Sequence, residues 1–277
     1  MSSLLYVYTV VPAALPDPDV PGLALVREGS VAAAVAPVPA EEFDEEPLNR
    51  RMRDLDWLAP RAERHQAVNA ALMQKSAALL PLAFGTVYRD EAGLRAMLRE
   101  RQAELMRRLE SVRGRAEWVV TLQRDGAAAR AWVEERGAAL ADLRREIEAS
   151  SPGRAYLLAR RLDDARREEL LRLDQAALAE LVQTAEAHAE RAYREPLAAP
   201  ASGYPSEGQM GYPAGAAAAS AGGGSGPIAR LSLLVPRAAE AALGAALGAL
   251  TERWRPRGYT PDVTGPWPPY RFGGDPV

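Results

Sequence analysis

The feature that most constrains the fold is an alternation of two apolar patterns over the first 124 residues. Short β-branched and aromatic runs, beginning with LLYVYTVV at 4–11, alternate with segments whose apolar residues recur at spacings of three and four. The runs are typical of buried strands, and the spacings are typical of amphipathic helices. The order β-β-β-α-β-α-β predicts an α+β sandwich of ferredoxin-like type, with one sheet and helices on one face.

The remainder of the chain has a different organisation. Helical patterns fill most of 127–193, and a strand, a helix and a final strand follow between 228 and 263. Residues 198–226 consist mainly of Gly, Ala, Ser and Pro, which predicts a flexible insert because such a segment buries little apolar surface. We therefore predict a ferredoxin-like domain at 1–124, a C-terminal α+β domain at 125–264 and a tail at 265–277.

Composition excludes several kinds of chemistry. The 277 residues include no cysteine, which rules out disulfides, cysteine nucleophiles and thiolate metal sites. Lys75 is the only lysine, and Gln74 precedes it, so there is no P-loop. The histidines, His65 and His188, are far apart, and no nucleophile elbow or zinc-protease pair occurs. We expect no catalytic residues, no cofactor and no metal.

Charge and hydropathy limit the partners and the compartment. A net charge of −3 argues against a nucleic-acid binder. The chain has no apolar run long enough for a transmembrane helix and no basic leader before its first strand, so we expect a cytoplasmic protein. The acidic run EEFDEE at 41–46 predicts a solvated connector, with a docking patch as the alternative. The paired charges at 160–169 predict a solvated helix face or, alternatively, a surface for a partner helix.

The string TGPWPPYRF at 264–272 is the most distinctive motif. Its three prolines fix φ and remove backbone donors, which predicts an extended segment held by its aromatic rings rather than a helix or central strand. The string resembles the C-terminal GPWPPY-x-F signature of the GvpF/GvpL family of gas vesicle proteins.

Four further segments resemble that family in the expected order along the chain. They are LYVY at 5–8, RHQAV at 64–68, LPLAFGTVY at 80–88 and GRAYLLARR at 153–161. Two positions depart from the family pattern: Thr9 replaces a frequent glycine, and Gln66 replaces a frequent glutamate after His65. The second departure weakens the case for histidine–carboxylate chemistry at this position.

The resemblance implies both a fold and a function. It implies a modified ferredoxin-like domain, a second domain of long helices with a small sheet, and a tail that returns to pack on the body. It also implies a non-enzymatic minor gas vesicle protein, which binds the hydrophobic major shell subunit and other accessory proteins during assembly. Such a protein is expected in the cytoplasm, associated with the gas vesicle, with no nucleic-acid, membrane or small-molecule substrate partner.

The motif residues are candidates for structural support or for partner contact. They are Tyr6, Tyr8, His65, Pro81, Phe84, Gly85, Thr86, Gly265, Pro266, Trp267, Pro268, Pro269, Tyr270 and Phe272. We interpret His65 as a hydrogen-bonded core residue, with ligand binding or acid–base chemistry as the alternative. The aromatic tail is interpreted as a clamp onto its own domain, with a partner-binding tail as the alternative.

Two other function classes stay open at this point. The first is a small-molecule-sensing module, because ferredoxin-like domains often carry ligand sites. The second is an enzyme that uses His65 with a carboxylate partner, although no recognisable catalytic motif supports it.

Overall fold

The computed structural model of the protein describes residues 3–197 and 224–273. These residues divide into two compact units, with boundaries after Trp118 and Thr264. Unit 1 contains the described residues up to Trp118 and those from Gly265 onward, and unit 2 contains those between. The predicted insert at 198–226 lies outside the described residues except for its last three positions.

The sheet of unit 1 is built around its first strand. The strands are β1 (Ser3–Pro12), β2 (Ala24–Glu28), β3 (Val31–Pro39), β4 (Leu80–Pro81) and β5 (Val87–Tyr88). The sheet order is β2-β3-β1-β4, with β5 also pairing with β1, and these pairings are antiparallel. The first three strands confirm the prediction made from their β-branched and aromatic runs.

The helices of unit 1 lie on both faces of this sheet. They are α1 (Ala40–Phe43), α2 (Glu45–Arg51), α3 (Leu55–Lys75), α4 (Glu91–Glu100) and α5 (Gln102–Val112). Residues of α1 to α3 pack with Tyr6 and Tyr8 in one apolar cluster. Residues of α4 and α5 pack with Val7 and Val10 in another. The prediction of helices on one face is therefore wrong, because β1 is apolar on both of its faces.

Three local predictions in unit 1 also need correction. The apolar run at 79–88 predicts one strand, but the structure has β4 and β5, separated by a turn in which Gly85 has φ of +86°. The helical spacing of the apolar residues after Asp90 predicts one helix to about Val112, but this helix divides at Arg101. The acidic run at 41–46 forms α1 and the start of α2; its carboxylates are exposed except for the half-buried Glu42, as a solvated connector predicts, but Phe43 is buried in the core.

Unit 2 combines a second sheet with longer helices. Its elements are β6 (Arg115–Arg124), α6 (Gly126–Arg136), α7 (Ala138–Glu148), α8 (Pro152–Glu186), β7 (Arg191–Glu195), β8 (Gly226–Pro236), α9 (Glu240–Trp254) and β9 (Tyr259–Trp267). The sheet order is β7-β8-β6-β9. Strand β6 thus belongs to this sheet, which corrects the prediction of a single sheet over residues 1–124.

A buried ion pair fixes the interior of unit 2. Arg124 Nη1 lies 2.6 Å from Asp174 Oδ2, and the Arg124 side chain is 5% exposed. Tyr259 donates its hydroxyl to Asp174 Oδ1 at 2.6 Å. The apolar stripe of this segment shifts near 170–174, which leaves a helix break open from the sequence, but α8 continues through Asp174.

The tail forms a short helix that the sequence analysis excluded. Strand β9 continues to Trp267, and α10 (Tyr270–Gly273) follows directly after Pro268 and Pro269. The Gly273 amide donates to the Pro269 carbonyl at 2.6 Å. Prolines are compatible with a helix start because N–H groups in the first turn have no acceptor within the helix, so their absence costs no hydrogen bond. The α+β class itself is confirmed by this architecture.

Candidate functional site

Unit 1 contains an open cleft of about 390 Å³, which we call the aromatic cleft. Its lining comes from β1, β3, α1, the middle of α3 and the turn after β4. The lining residues are Tyr6, Tyr8, Ala36, Pro37, Val38, Phe43, Pro60, Arg61, Arg64 and Phe84. Three of them, Tyr6, Tyr8 and Phe84, were candidate residues from the sequence.

The aromatic rings meet because of strand alternation. Tyr6 and Tyr8 are two residues apart on β1, so they face the same side of the sheet. Their ring centroids lie 4.7 Å apart, and Tyr6 makes edge contacts with Phe43 at 5.6 Å and Phe84 at 5.9 Å. Four of the ten lining residues are thus aromatic; Tyr6, Tyr8 and Phe43 are at most 6% exposed, and Phe84 is half-buried.

One arginine of the cleft is already neutralised. Arg61 Nη2 lies 2.6 Å from Glu42 Oε2, and its guanidinium stacks over the Trp57 ring at 4.3 Å. Trp57 donates its indole N–H to the same Glu42 oxygen at 3.1 Å. The Trp57 hydrogen bond, together with Arg61, lowers the pKa of Glu42, so this carboxylate stays ionised.

Arg64 is the other arginine of the cleft, and it is exposed on α3. Within the described residues it has neither an ion pair nor a hydrogen bond. The cleft thus combines an apolar floor with one uncompensated positive charge at its edge.

His65 lies beneath the cleft rather than in its lining. It is 3% exposed, and its Nδ1 lies 2.8 Å from the Tyr6 hydroxyl. The Gly85 amide donates to the same hydroxyl at 3.2 Å. The Asn69 amide nitrogen lies 3.0 Å from His65 Nε2 and donates to the Tyr270 hydroxyl at 3.3 Å. A buried polar chain therefore links the turn after β4, strand β1, helix α3 and the tail.

Burial sets the protonation states in this chain of hydrogen bonds. It lowers the pKa of His65 to about 4, against the opposing effect of a backbone hydrogen bond with Leu82. Burial also raises the pKa of Tyr6 well above its usual range and the pKa of Tyr270 to about 12. At neutral pH His65 is uncharged and both hydroxyls keep their protons, so the chain acts as a structural network.

Within unit 1, hydrogen bonds of the tail's backbone and the packing of Phe272 hold the tail in place. The Arg271 amide donates to Glu117 Oε2 at 2.8 Å, and Arg108 donates to the Gly273 carbonyl at 2.6 Å. Phe272 packs against the apolar cluster that contains α4 and α5. Glu117 is fully buried, so its hydrogen bond to the Arg271 amide holds the tail in the interior of the unit.

The other tail candidates differ in exposure. Pro268 and Pro269 are buried, Trp267 is half-buried, and Pro266 is exposed. Gly265 has φ of +138°, and a side chain there would lie 3.0 Å from both the Glu117 carbonyl and the Trp118 ring. A glycine is therefore required at the point where the tail passes this strand.

The two remaining candidates lie in the backbone frame beside the cleft. Pro81 is buried in β4 and faces Thr9 on β1. Thr86 donates its hydroxyl to the Ala83 carbonyl at 2.7 Å, and its own carbonyl accepts from the Val7 amide at 2.9 Å. Both residues shape the segment that carries Phe84.

The sequence analysis missed the wall of the cleft opposite β1. Phe43 belongs to the acidic run at 41–46, and its signal was a lone aromatic residue among five carboxylates. Arg61 and Pro60 gave no pattern of their own, since a proline within the helical pattern that starts near Leu48 predicts only a helix break. Helix α3 in fact continues through Pro60.

The described residues contain no metal-binding group. Across 3–197 and 224–273, no three His, Asp or Glu side chains come together in a way that would hold an ion. The helices of this part of the chain also lack the length and apolar character needed to cross a membrane.

Comparison with known proteins decides the family. The profile described as gas vesicle synthesis protein GvpL/GvpF matches residues 4–273. The chain belongs to the GvpL/GvpF family. This confirms the resemblance on which the candidate residues were chosen, and it gives the chain a role connected with gas vesicles.

A curated relative agrees with this assignment. Gas vesicle protein L of Streptomyces sp. (strain CB03234) is 42% identical over 114 residues, which are 41% of this chain and 42% of that protein. The match thus spans about two fifths of the relative's length.

The two structures support the fold. GvpF from Anabaena sp. PCC7120 superposes with a TM-score of 0.66 over 100% of both chains at 16% identity. GvpF from Microcystis aeruginosa gives 0.61 over 98% of both chains at 13% identity. At these identities the likeness concerns the fold alone.

Proposed function

We propose that this protein is a non-enzymatic assembly factor of the gas vesicle, which binds an apolar segment of the major shell subunit in the aromatic cleft. The observation that carries the proposal is the cleft itself, whose lining brings together the family-motif residues Tyr6, Tyr8 and Phe84. A shell subunit with a strongly apolar surface aggregates unless another protein covers that surface before assembly. The protein acts in the cytoplasm, on the forming vesicle, together with other accessory proteins.

The geometry favours insertion of side chains over strand addition. Strand β2 pairs with β3 only from Val31 to Val35, so the rest of β3 borders the cleft without β2. Pro37 and Pro39 lie in that part of β3 and have no amide donors. A partner strand would gain few hydrogen bonds there. An apolar helix or loop, with its side chains among Tyr8, Phe43 and Phe84, fits this surface better.

The buried polar residues and the tail give the cleft its rigidity. Tyr6 is held by His65 and Gly85, and His65 is connected through Asn69 to the tail. A preorganised apolar surface binds with less entropic cost than a mobile one. In this proposal the tail residues support the binding surface and do not contact the partner.

Co-expression with the major shell subunit tests the proposal. The wild-type chain is expected to keep the subunit in the soluble fraction and to co-purify with it. Arg64→Glu places a carboxylate at the edge of the cleft, where the bound apolar segment would desolvate it, so co-purification should fall about tenfold or more. Phe84→Ser removes part of the aromatic wall and should have a similar effect.

Lys75→Glu is the matched control, because it makes the same charge change on the same exposed helix, outside the cleft. This variant should retain the subunit as the wild type does. If the wild type fails to solubilise or retain the subunit, the proposal is wrong. If Lys75→Glu and Arg64→Glu reduce co-purification of the shell subunit equally, the effect comes from overall charge and does not locate binding in the cleft.

A second candidate function, the sensing of a small molecule, draws on the same cleft. A volume of about 390 Å³ and an uncompensated Arg64 suit a small apolar acid. A saturable rise in melting temperature on addition of such an acid, abolished in Arg64→Glu, would favour this function. If no acid raises the melting temperature and the shell subunit still co-purifies with the chain, assembly remains the function of the cleft.

A further inference from the structure

The α7–α8 hairpin of unit 2 carries an exposed apolar pair near its turn. Tyr156 is 66% exposed and Leu157 is 63% exposed, in the first turns of α8. The next residue, Leu158, is buried and faces the interior of the unit. Tyr156 and Leu157 therefore do not serve the packing of their own unit.

Two arginines lie one turn further along the same face. Arg160 follows Tyr156, and Arg161 follows Leu157, each at a spacing of four residues, so each pair is adjacent on the helix surface. Within the described residues neither arginine has an ion pair or a hydrogen bond. We call Tyr156, Leu157, Arg160 and Arg161 the hairpin patch.

The other charges of the hairpin are mostly satisfied within it. Arg154 bonds to Glu146 at 2.5 Å, and Arg166 bonds to Asp163 at 2.6 Å. Arg167 is paired with Asp164. Over α7 and α8 together, eight arginines stand against ten acidic residues, so the hairpin as a whole has no positive excess. Its positive charge is local to Arg160 and Arg161, which lie beside the apolar pair and form no ion pair among the described residues.

We propose that the hairpin patch is a docking surface for an acidic amphipathic helix of a partner protein. Tyr156 and Leu157 supply the apolar contact that such a helix buries, and Arg160 and Arg161 face its carboxylates. A second copy of this chain is a poorer occupant, because its own patch carries the same positive charge. This inference goes beyond the assembly function, which requires only the aromatic cleft.

The test uses the full chain and a pair of synthetic peptides of about 18 residues, a length that allows a helix. One peptide has leucine along one helical face and glutamate elsewhere, and its twin has lysine in place of glutamate. Fluorescence anisotropy should give a dissociation constant at least about tenfold lower for the glutamate peptide, and its affinity should fall as salt is raised.

Variants locate the binding surface. Two double variants are used, Arg160→Glu/Arg161→Glu and Tyr156→Ser/Leu157→Ser. Both change exposed residues, so both are expected to fold. Each should raise the dissociation constant of the glutamate peptide about tenfold or more. Leu171→Ser is the matched control, because Leu171 is 56% exposed on the same helix outside the patch. The affinity of the Leu171→Ser variant for the glutamate peptide should stay within about twofold of the wild-type value.

Three results would overturn the inference: no binding of the glutamate peptide, equal binding of both peptides, or binding that both double variants leave unchanged. If only Arg64→Glu weakens the peptide, it binds in the aromatic cleft and the hairpin patch is not the site. Such a failure leaves the assembly function standing, since that function is tested separately with the shell subunit.

Discussion

His65→Gln should make the free energy of unfolding fall less steeply as the pH is lowered below 7. The native pKa of His65 is lowered to about 4 by burial, against 6.5 for an ordinary histidine. The unfolded chain therefore takes up a proton as the pH falls below about 6.5, while the native protein does not until about pH 4. The stability that follows from a neutral His65 is complete above about pH 6.5 and is lost as the pH falls toward 4.

The magnitude follows from that difference in pKa. At about 1.4 kcal/mol for each pKa unit, His65 should lower the free energy of unfolding by about 2 kcal/mol between pH 7 and pH 5. The loss should approach about 3 kcal/mol at pH 4. Glutamine does not titrate, so this part of the loss should be missing in the variant.

Urea unfolding at several pH values between 7 and 4 measures the effect. The variant starts from a lower stability, because glutamine does not reproduce both ring hydrogen bonds, so the slopes are compared rather than the absolute values. The carboxylates and His188 are present in both proteins, so their contributions cancel when the two slopes are compared. If the two profiles run parallel within about 0.5 kcal/mol, His65 is not a buried neutral residue and the polar chain beneath the cleft is wrongly described.

Three further substitutions test other parts of the account, each by urea unfolding at pH 7. Tyr270→Phe removes the hydroxyl that accepts from Asn69 and should cost about 1 kcal/mol; an unchanged midpoint would show that this bond does not hold the tail. Gly85→Ala places a side chain at φ of +86° and should cost about 1–2 kcal/mol, whereas a neutral result would refute the need for glycine. Arg124→Met leaves the Asp174 carboxylate with the Tyr259 hydroxyl but without its cationic partner and should cost about 3 kcal/mol; a stabilised variant would contradict this role.

Much of the local structure could be predicted from the sequence because local chemistry determines it. The β-branched runs gave β1 to β3, and Asp90 begins α4 by accepting from the Gly93 amide at 2.8 Å. Strand β7 was missed, since its sequence RAYRE has no alternating apolar pattern and it lies at the edge of its sheet. Exposure on both faces leaves such a strand without a hydrophobic signal.

Long-range pairing was the part that sequence reasoning could not supply. Strand β6 follows the helices of unit 1 directly in sequence, yet it belongs to the second sheet. Its hydrogen-bonded neighbours, β8 and β9, come more than a hundred residues later, and no local pattern reveals this pairing. The same holds for the site. The motif residues Tyr6, Tyr8 and Phe84 were identified from the family resemblance, but Phe43 became part of the cleft only through the packing of α1 against β1.

Site-specific photo-cross-linking tests the central claim, that the aromatic cleft receives the shell subunit, most directly. A photoreactive amino acid is placed at Arg64, at the edge of the cleft, or at Lys75, on the same helix outside it. Each variant is co-expressed with the major shell subunit, and cross-linked products are identified by mass spectrometry. The account predicts cross-links to an apolar segment of the subunit from position 64 and none from position 75. Cross-links from position 75 alone, or from neither position while the subunit still co-purifies, would contradict it.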